Sequence, residues 1–277
     1  MKNQSPFFSV IIPTLNEEKF LPRLLTDLVA QKEQDFEVLV VDANSQDKTQ
    51  TVARTWSTKL PLTVIESSRG NVSFQRNLGA HSAQGTYLVF FDADVQIPRL
   101  YLYEIKKQLK RLPAPFVTTR VRPDSKDVLD KTIVRLLNLT MDVGPIVDRP
   151  FVGGYNFIVA REVFNLVGGF REHIIHAEDY DLSVRLHKAG YHLMILKKPL
   201  LIFSLRRFRH EGRLSVLRKN AQATLHILTR GSITQEIFSY PMGGGEYFKL
   251  KNKSQIKPDV LNKVQTRMKR FLRLFLE

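Results

Sequence analysis

Short apolar runs and amphipathic stretches alternate along the first two thirds of the chain. Phe7–Ile12 is rich in β-formers and ends at Pro13, which predicts a first strand. Asn16-Glu17-Glu18 then opens a stretch in which Phe20, Leu21, Leu24, Leu25, Leu28 and Val29 recur at helical spacing. Phe36–Val41 reads as a second strand, stopped by Asp42-Ala43-Asn44-Ser45. A polar helix follows over Lys48–Trp56, then a third strand over Leu62–Ile65 and a helix over Ser73–Ala83. Gly85 punctuates the chain before the apolar run Tyr87–Asp92. Strands and helices alternating at these lengths imply a mostly parallel central sheet with right-handed crossovers and flanking helices.

The second half continues less regularly. Helices are expected over Leu100–Leu112 and Asp127–Met141, with a strand over Phe116–Val121 between them. Asp142–Gly154, with two prolines and three glycines, reads as an irregular loop beside a site. Tyr155–Ala160 is a short strand. Glu178–Ala189 is a helix closed by Gly190, with Leu182, Leu186 and Ala189 as its buried stripe. Tyr191–Leu196 and Leu200–Leu205 are two further strands. From Glu211 the pattern is helical and basic, and Gly243-Gly244-Gly245 marks a flexible break. These shifts divide the chain into a domain over residues 1–212 and a basic, mainly helical extension over 213–277.

The run Tyr87-Leu88-Val89-Phe90-Phe91 stops at Asp92-Ala93-Asp94. Two carboxylates therefore fall at the C-terminal end of a buried strand, where open α/β sheets bind ligands. Two hard oxygen donors suit Mn2+ or Mg2+ completed by substrate phosphates, and Gln96 adds a third oxygen. Taken alone, an Asp-x-Asp is more often a solvated turn.

Other polar groups fall at the same sheet edge. Asp42 can accept hydrogen bonds from a base N–H or a ribose hydroxyl, although turn and N-cap chemistry explains Asp42 and Asn44 too. Glu17 reads as a first-turn carboxylate favoured by the helix dipole. Arg76 can reach a diphosphate with its planar fork; its alternative is a surface ion pair. Glu178 and Asp179 open the helix at 178, where the dipole favours their ionised form, and an ionised carboxylate in a cleft is a competent base for a hydroxyl. Asp181 and Arg185, four apart, fit a structural helix pair.

Composition narrows the field. The chain has 277 residues, 43% hydrophobic, enough for one large α/β domain. The absence of cysteine excludes disulfides, thiolate metal sites and cysteine nucleophiles. Residues 1–13 are too short and polar for a signal peptide, and no apolar run is long enough to span a bilayer. The expected location is cytoplasmic, with attachment to the membrane face an option. The formal net charge is +15, and residues 201–277 hold 16 Lys and Arg against 5 Asp and Glu, an excess of 11. Such a block suggests a polyanionic partner. Over Val260–Leu276 an apolar stripe (Val260, Leu261, Val264, Met268, Phe271, Leu272, Phe275) faces a basic one. That is the pattern of a helix lying in an anionic membrane surface, or of one packed on the domain or on a second copy of the chain.

Taken together, SVIIPTLNEE, VVDANSQDKT, QRNLGA, YLVFFDAD, Gly168-Gly169-Phe170 and HAEDYDLSVRLHKAG resemble the inverting family 2 glycosyltransferases of the GT-A fold, over residues 7–212. The resemblance implies a nucleoside pocket lined by Pro13, Leu15, Glu17 and Asp42, with Arg76 and Asp92 toward the base and diphosphate. It implies a metal held by Asp92, Asp94 and Gln96, a shell that His210 sometimes completes, and Asp179 as catalytic base. Gly153, Gly154 and Asn156 would form the acceptor-side loop, with Glu178 beside the sugars. The arginines at 206, 207 and 209 would grip a diphosphate; a basic solvated strand end explains them and His210 equally. Leu15 stands where the family usually has an aromatic residue, and Ala43 and Asn44 where it often has Asp. The Gln-x-x-Arg-Trp motif of processive synthases is absent, since the single tryptophan is Trp56. The implied activity is metal-dependent transfer of one sugar from a UDP- or GDP-linked donor to a hydroxyl of a glycan or lipid-linked acceptor, in cell-envelope or glycoconjugate synthesis. A sugar-phosphate nucleotidylyltransferase would need a glycine-rich, arginine-bearing loop after the first strand, and Pro13-Thr14-Leu15-Asn16 is not one. A nucleic-acid-binding protein, suggested by charge alone, lacks any recognisable module.

Overall fold

β1 (Phe8–Thr14) lies near the middle of a seven-stranded sheet in a computed structural model that describes residues 5–240 and 243–244. The sheet order is β3 (Leu62–Glu66), β2 (Phe36–Asp42), β1, β4 (Tyr87–Phe90), β6 (Phe157–Ala160), β5 (Phe116–Pro123), β7 (Leu193–Phe203). β6 is antiparallel to both of its neighbours; every other pairing is parallel. The helices are α1 (Leu21–Val29), α2 (Thr49–Thr55), α3 (Val72–Ser82), α4 (Tyr101–Arg111), α5 (Val128–Val143), α6 (Arg161–Leu166), α7 (Glu178–Lys188), α8 (Arg206–Glu211) and α9 (Arg213–Arg230). This is the expected mostly parallel sheet flanked by helices.

The strands read as apolar runs because both faces are covered. Val10, Ile12, Val38, Val40, Val89 and Phe91 face a core shared with α1 and α4. Ile11, Leu39, Val41, Leu88 and Phe90 face a second core with α6 and α7. α3 lies so close to that second face that a Cβ on Gly79 would stand 2.5 Å from Ile11 Cγ2.

Some boundaries differ from the sequence pattern for identifiable reasons. β1 runs through Pro13 to Thr14. Its pairing with β4 ends at Ile11, whose carbonyl takes the Phe91 N–H at 3.1 Å, so the missing N–H of Pro13 leaves no ladder bond unmade. The two strands expected over 191–205 are one, β7. α5 continues to Val143, shortening the expected loop, and a 3-10 turn over Gly144–Val147 follows. α6 and α8 are too short to show a helical period and were not expected. Ala189 follows α7 as an exposed cap residue, so of the expected stripe Leu182 and Leu186 are buried.

The described part of 213–277 packs onto the rest. Val216 and Ala223 of α9 are buried, and Ile175 donates to the Ile233 carbonyl at 3.0 Å. Gly243 and Gly244 press on residues 15–17. Gly244 donates to the Leu15 carbonyl at 3.0 Å, and a Cβ there would meet Glu17 Oε2 at 2.6 Å. Two of the three glycines of the expected break are thus a close approach. Gly245 and the amphipathic stretch over Val260–Leu276 lie outside the described residues.

Candidate active site

The parallel register sets Thr14 opposite Asp42, so the loops after β1 and β2 leave the sheet side by side. They latch through short polar bonds. Asn16, at φ 54°, donates its N–H to Ser45 Oγ at 2.8 Å and accepts from Gln46 N–H at 2.7 Å. Glu17 N–H reaches Thr49 Oγ1 at 2.8 Å. Buried Gln75 of α3 caps the diverging strand ends, donating to the carbonyls of Thr14 and Val41 at 3.0 and 2.7 Å.

Asp42 forms the fully buried floor of this corner. Its carboxylate accepts from Thr14 Oγ1 (2.9 Å), Ser45 N–H (2.9 Å), Ser45 Oγ (2.5 Å) and Gln50 Nε2 (2.8 Å). Four donors fill the acceptor capacity of a carboxylate. Asp42 therefore holds the two loops together, and a nucleoside contact requires one of these bonds to open. Pro13 and Leu15 flank the same corner, with Leu15 under Gly243.

Two arginines organise the remaining carboxylates. Arg76, on α3, is 3% exposed, which removes the surface-pair alternative. Its Nη2 donates to Asp92 at 3.0 Å and its Nη1 to Glu178 at 2.7 Å. Its guanidinium lies over Phe170 at 5.3 Å, and Asn77 clamps the Phe170 backbone through both its N–H and its carbonyl. A Cβ on Gly154 would strike Arg76 Nη2 at 2.3 Å, so glycine there makes room for the guanidinium.

Asp179 enters the same cluster through Gly154, whose N–H it accepts at 2.8 Å; its other oxygen accepts from Tyr180 N–H at 2.8 Å. Ala177, at φ 62°, turns the chain into α7 just before it, in a region a non-glycine residue rarely adopts. Burial, reinforced by the Glu178 charge and only partly opposed by Arg76, pushes the Asp179 carboxyl up to about 7. The Tyr155 hydroxyl is buried in the same surroundings and meets no hydrogen-bond partner among the described residues. Asp181 pairs with Arg185 at 2.8 Å, the expected helix pair.

The second arginine is Arg206, at the start of α8. It makes a two-pronged pair with Glu17, 2.7 Å on each prong, and its Nε lies 2.8 Å from Asp94 Oδ2. Its guanidinium rests on the Phe20 ring at 4.4 Å. Glu17 is 5% exposed, and burial outweighs the arginine to push its carboxyl up to about 7, with the Asp94 and Asp92 charges adding to the rise. Burial also raises Asp94 above the usual carboxylate range; Arg206 opposes the rise and Asp92 adds to it.

Several expected roles change. The metal shell of Asp92, Asp94, Gln96 and His210 is not assembled: among the described residues no three carboxylate or imidazole groups converge as a metal cage. Arg206 holds Asp94 instead. Gln96 exchanges backbone hydrogen bonds with Ile202 at 3.2 and 2.9 Å, tying the Asp92–Asp94 turn to the strand that leads into α8. His210 lies one helical turn beyond Arg206. Asn156 is fully buried, accepting from Tyr101 Oη at 2.6 Å and donating to Thr119 at 2.9 Å. It braces the Gly153–Gly154 loop and presents no face to an acceptor.

The donor-set chemistry still suits a divalent cation. Asp92 and Asp94 are hard oxygen donors at one turn, and the Asp92 side chain is 41% exposed to the cleft. Among the described residues the ion pairs of Glu17, Asp92, Asp94 and Glu178 are made with Arg76 and Arg206, so with Asp179 five carboxyl groups meet two guanidinium groups there.

The sheet order and its flanking helices make a mostly parallel α/β fold of the GT-A arrangement. Residues 9–168, more than half of the chain, match the family model described as Glycosyl transferase family 2, and the chain belongs to that family. Glycosyltransferase AglE of Haloferax volcanii is 29% identical over 201 residues, covering 70% of this chain and 65% of AglE. The poly(ribitol-phosphate) beta-N-acetylglucosaminyltransferase TarS of Staphylococcus aureus is 38% identical over 91 residues, covering 31% of this chain and 16% of TarS. Two solved structures share the fold. TarS 1–349 in complex with UDP-GlcNAc aligns at TM-score 0.57 and 21% identity, over 71% of this chain and 58% of that one. The mannosyltransferase PcManGT of Pyrobaculum calidifontis, in complex with GDP-Man and Mn2+, aligns at 0.62 and 23%, over 79% and 65%. The chain thus spans less than two thirds of each of these relatives.

Proposed function

We propose that this chain is an inverting, metal-dependent glycosyltransferase that moves one sugar from a UDP- or GDP-linked donor to an acceptor hydroxyl. The observation that carries the reading is Asp179. It is a carboxylate with proton affinity near neutrality, held by the Gly154 N–H against the Arg76 cluster, in a chain of this family. A base for an alcohol works best when its pKa lies near the working pH. In the reaction the Asp179 carboxylate takes the acceptor O–H proton as that oxygen bonds to the anomeric carbon. The sugar–phosphate bond breaks from the opposite face, and the nucleoside diphosphate leaves with the electron pair. Arg76 keeps Asp92 and Glu178 in place and faces the charge that develops on the diphosphate. A divalent cation, held by Asp92 and Asp94, would supply further neutralisation of that leaving group.

The names of two relatives support an acceptor class. TarS is named for a poly(ribitol-phosphate) acceptor, and another relative, at 24% identity, is the succinoglycan biosynthesis protein ExoA of Rhizobium meliloti. Both favour a cell-envelope or extracellular glycan. The basic stretch over 258–277 favours a lipid-linked acceptor met at an anionic membrane surface. Among the described residues no helix is long and apolar enough to cross a membrane.

A panel of nucleotide sugars with Mn2+, offered with soluble glycans or with lipid-linked acceptors in anionic vesicles, tests the reading. One donor should raise the melting temperature, because a ligand of the native state stabilises it, and that donor should turn over with inverted configuration. Transfer with retained configuration, or nucleotidyl transfer from a nucleoside triphosphate, would overturn it.

A further inference from the structure

We propose that Arg206 is an internal counter-ion that holds Asp94 and Glu17 while the site is empty, and that a divalent cation must take Asp94 from it. This rests on the metal-dependent reading above.

Geometry singles out this residue. All three bonds from the guanidinium to the two carboxylates lie between 2.7 and 2.8 Å. Two go to Glu17 and one to Asp94, so the contact with Asp94 can be lost while the paired fork to Glu17 remains. Glu17, Asp94 and Asp92 repel one another, and the Arg206 guanidinium offsets that repulsion where no metal is bound. A cation on Asp94 and a guanidinium on Asp94 are therefore alternatives. The mounting of Arg206 permits exchange. It begins the six-residue α8, its side chain is 17% exposed, and its guanidinium rests on the Phe20 ring. Arg76 has no such freedom, at 4% side-chain exposure between Gly154 and Phe170.

Two consequences follow. The bare protein binds cations weakly, because Arg206 must first be displaced. A nucleoside diphosphate tightens cation binding, because its negative charge takes up the displaced guanidinium. Such coupling is reciprocal: the cation tightens nucleotide binding by the same factor.

Mn2+ binding to the full chain, followed by electron paramagnetic resonance of the free ion with and without UDP or GDP, tests this without reference to turnover. Wild type should bind Mn2+ weakly alone and about tenfold more tightly with the diphosphate of its donor. Arg206→Gln, which keeps hydrogen-bonding shape but not charge, should bind Mn2+ alone about tenfold more tightly than wild type and gain little from nucleotide. Arg206→Lys, which keeps the charge without the fork, should fall between the two and serves if the Gln variant does not fold. If wild type binds Mn2+ but both variants match it, Arg206 is a structural ion pair and the inference fails while the metal reading stands. If wild type binds no Mn2+ with or without nucleotide, both fail.

Discussion

Arg76 and Arg206 solve the same electrostatic problem in opposite ways. Each bridges two acidic side chains that would otherwise repel at the sheet edge. Arg76 does so from the middle of α3, walled in by Phe170 and Gly154, and its partners Asp92 and Glu178 are 102 positions apart or less from it in sequence. Arg206 does so from a short helix, with more side-chain exposure than Arg76, 17% against 4%, and with Glu17 189 positions away. One is built into the wall. The other is a plug. The difference shows how a site with more carboxylates than cations can be stable when empty and still admit a charged ligand.

Substitution at the two positions should separate these roles. Arg76→Met leaves the buried Glu178 uncompensated, and breaking a buried pair from one side costs about 3–5 kcal/mol. Chemical denaturation should show a loss of that size, and added Mn2+ should not restore it. Arg206→Met should cost less, about 1–3 kcal/mol, because Glu17 already takes up a proton near pH 7. Mn2+ should recover part of that loss, since a cation can occupy the vacated place. Equal losses that Mn2+ leaves unchanged in both variants would erase the distinction.

A smaller effect sharpens the comparison from the Asp179 side. In the proposed reaction Asp179 acts as a carboxylate, and burial and Glu178 raise its folded-state pKa to about 7. The active form therefore dominates above that value, and kcat/KM should fall about tenfold per pH unit as the pH drops below it. An ordinary, solvated aspartate would place the fall near pH 4. Arg76 holds the Asp179 pKa down, so Arg76→Lys, with its charge drawn off-centre, should move the acid limb upward. A limb that stays below pH 5 in wild type would show that burial does not set the proton affinity of this group.

Much of this was legible in the chain. The alternation of apolar runs with amphipathic stretches follows from covering both faces of a parallel sheet, and it identified β1 to β4 and their crossovers. The drop from Phe91 into Asp92-Ala93-Asp94 marked the C-terminal end of β4, and the acidic first turn of α7 marked Asp179, the residues on which the proposed function rests. What was hidden depends on contacts far apart in sequence. Nothing local pairs Arg206 with Glu17, and basic residues at 206, 207 and 209 look alike until the fold pairs the first with Glu17 and Asp94, the second with Glu211 and the third with Asp124. Asn156 falls inside a motif but points into the core. Asp42 stands where a base contact belongs, yet its bonding capacity is taken by Thr14, Ser45 and Gln50.

The central claim is that Asp179 removes the acceptor proton, and Asp179→Asn measured at saturating donor tests it most directly. The amide keeps the size and can still accept from the Gly154 N–H, but it cannot take a proton. Turnover should fall by at least about a hundredfold, the lower range for loss of a positioned base, while the donor dissociation constant changes little. Turnover retained at saturation with donor affinity lost would contradict the account and make Asp179 a binding residue.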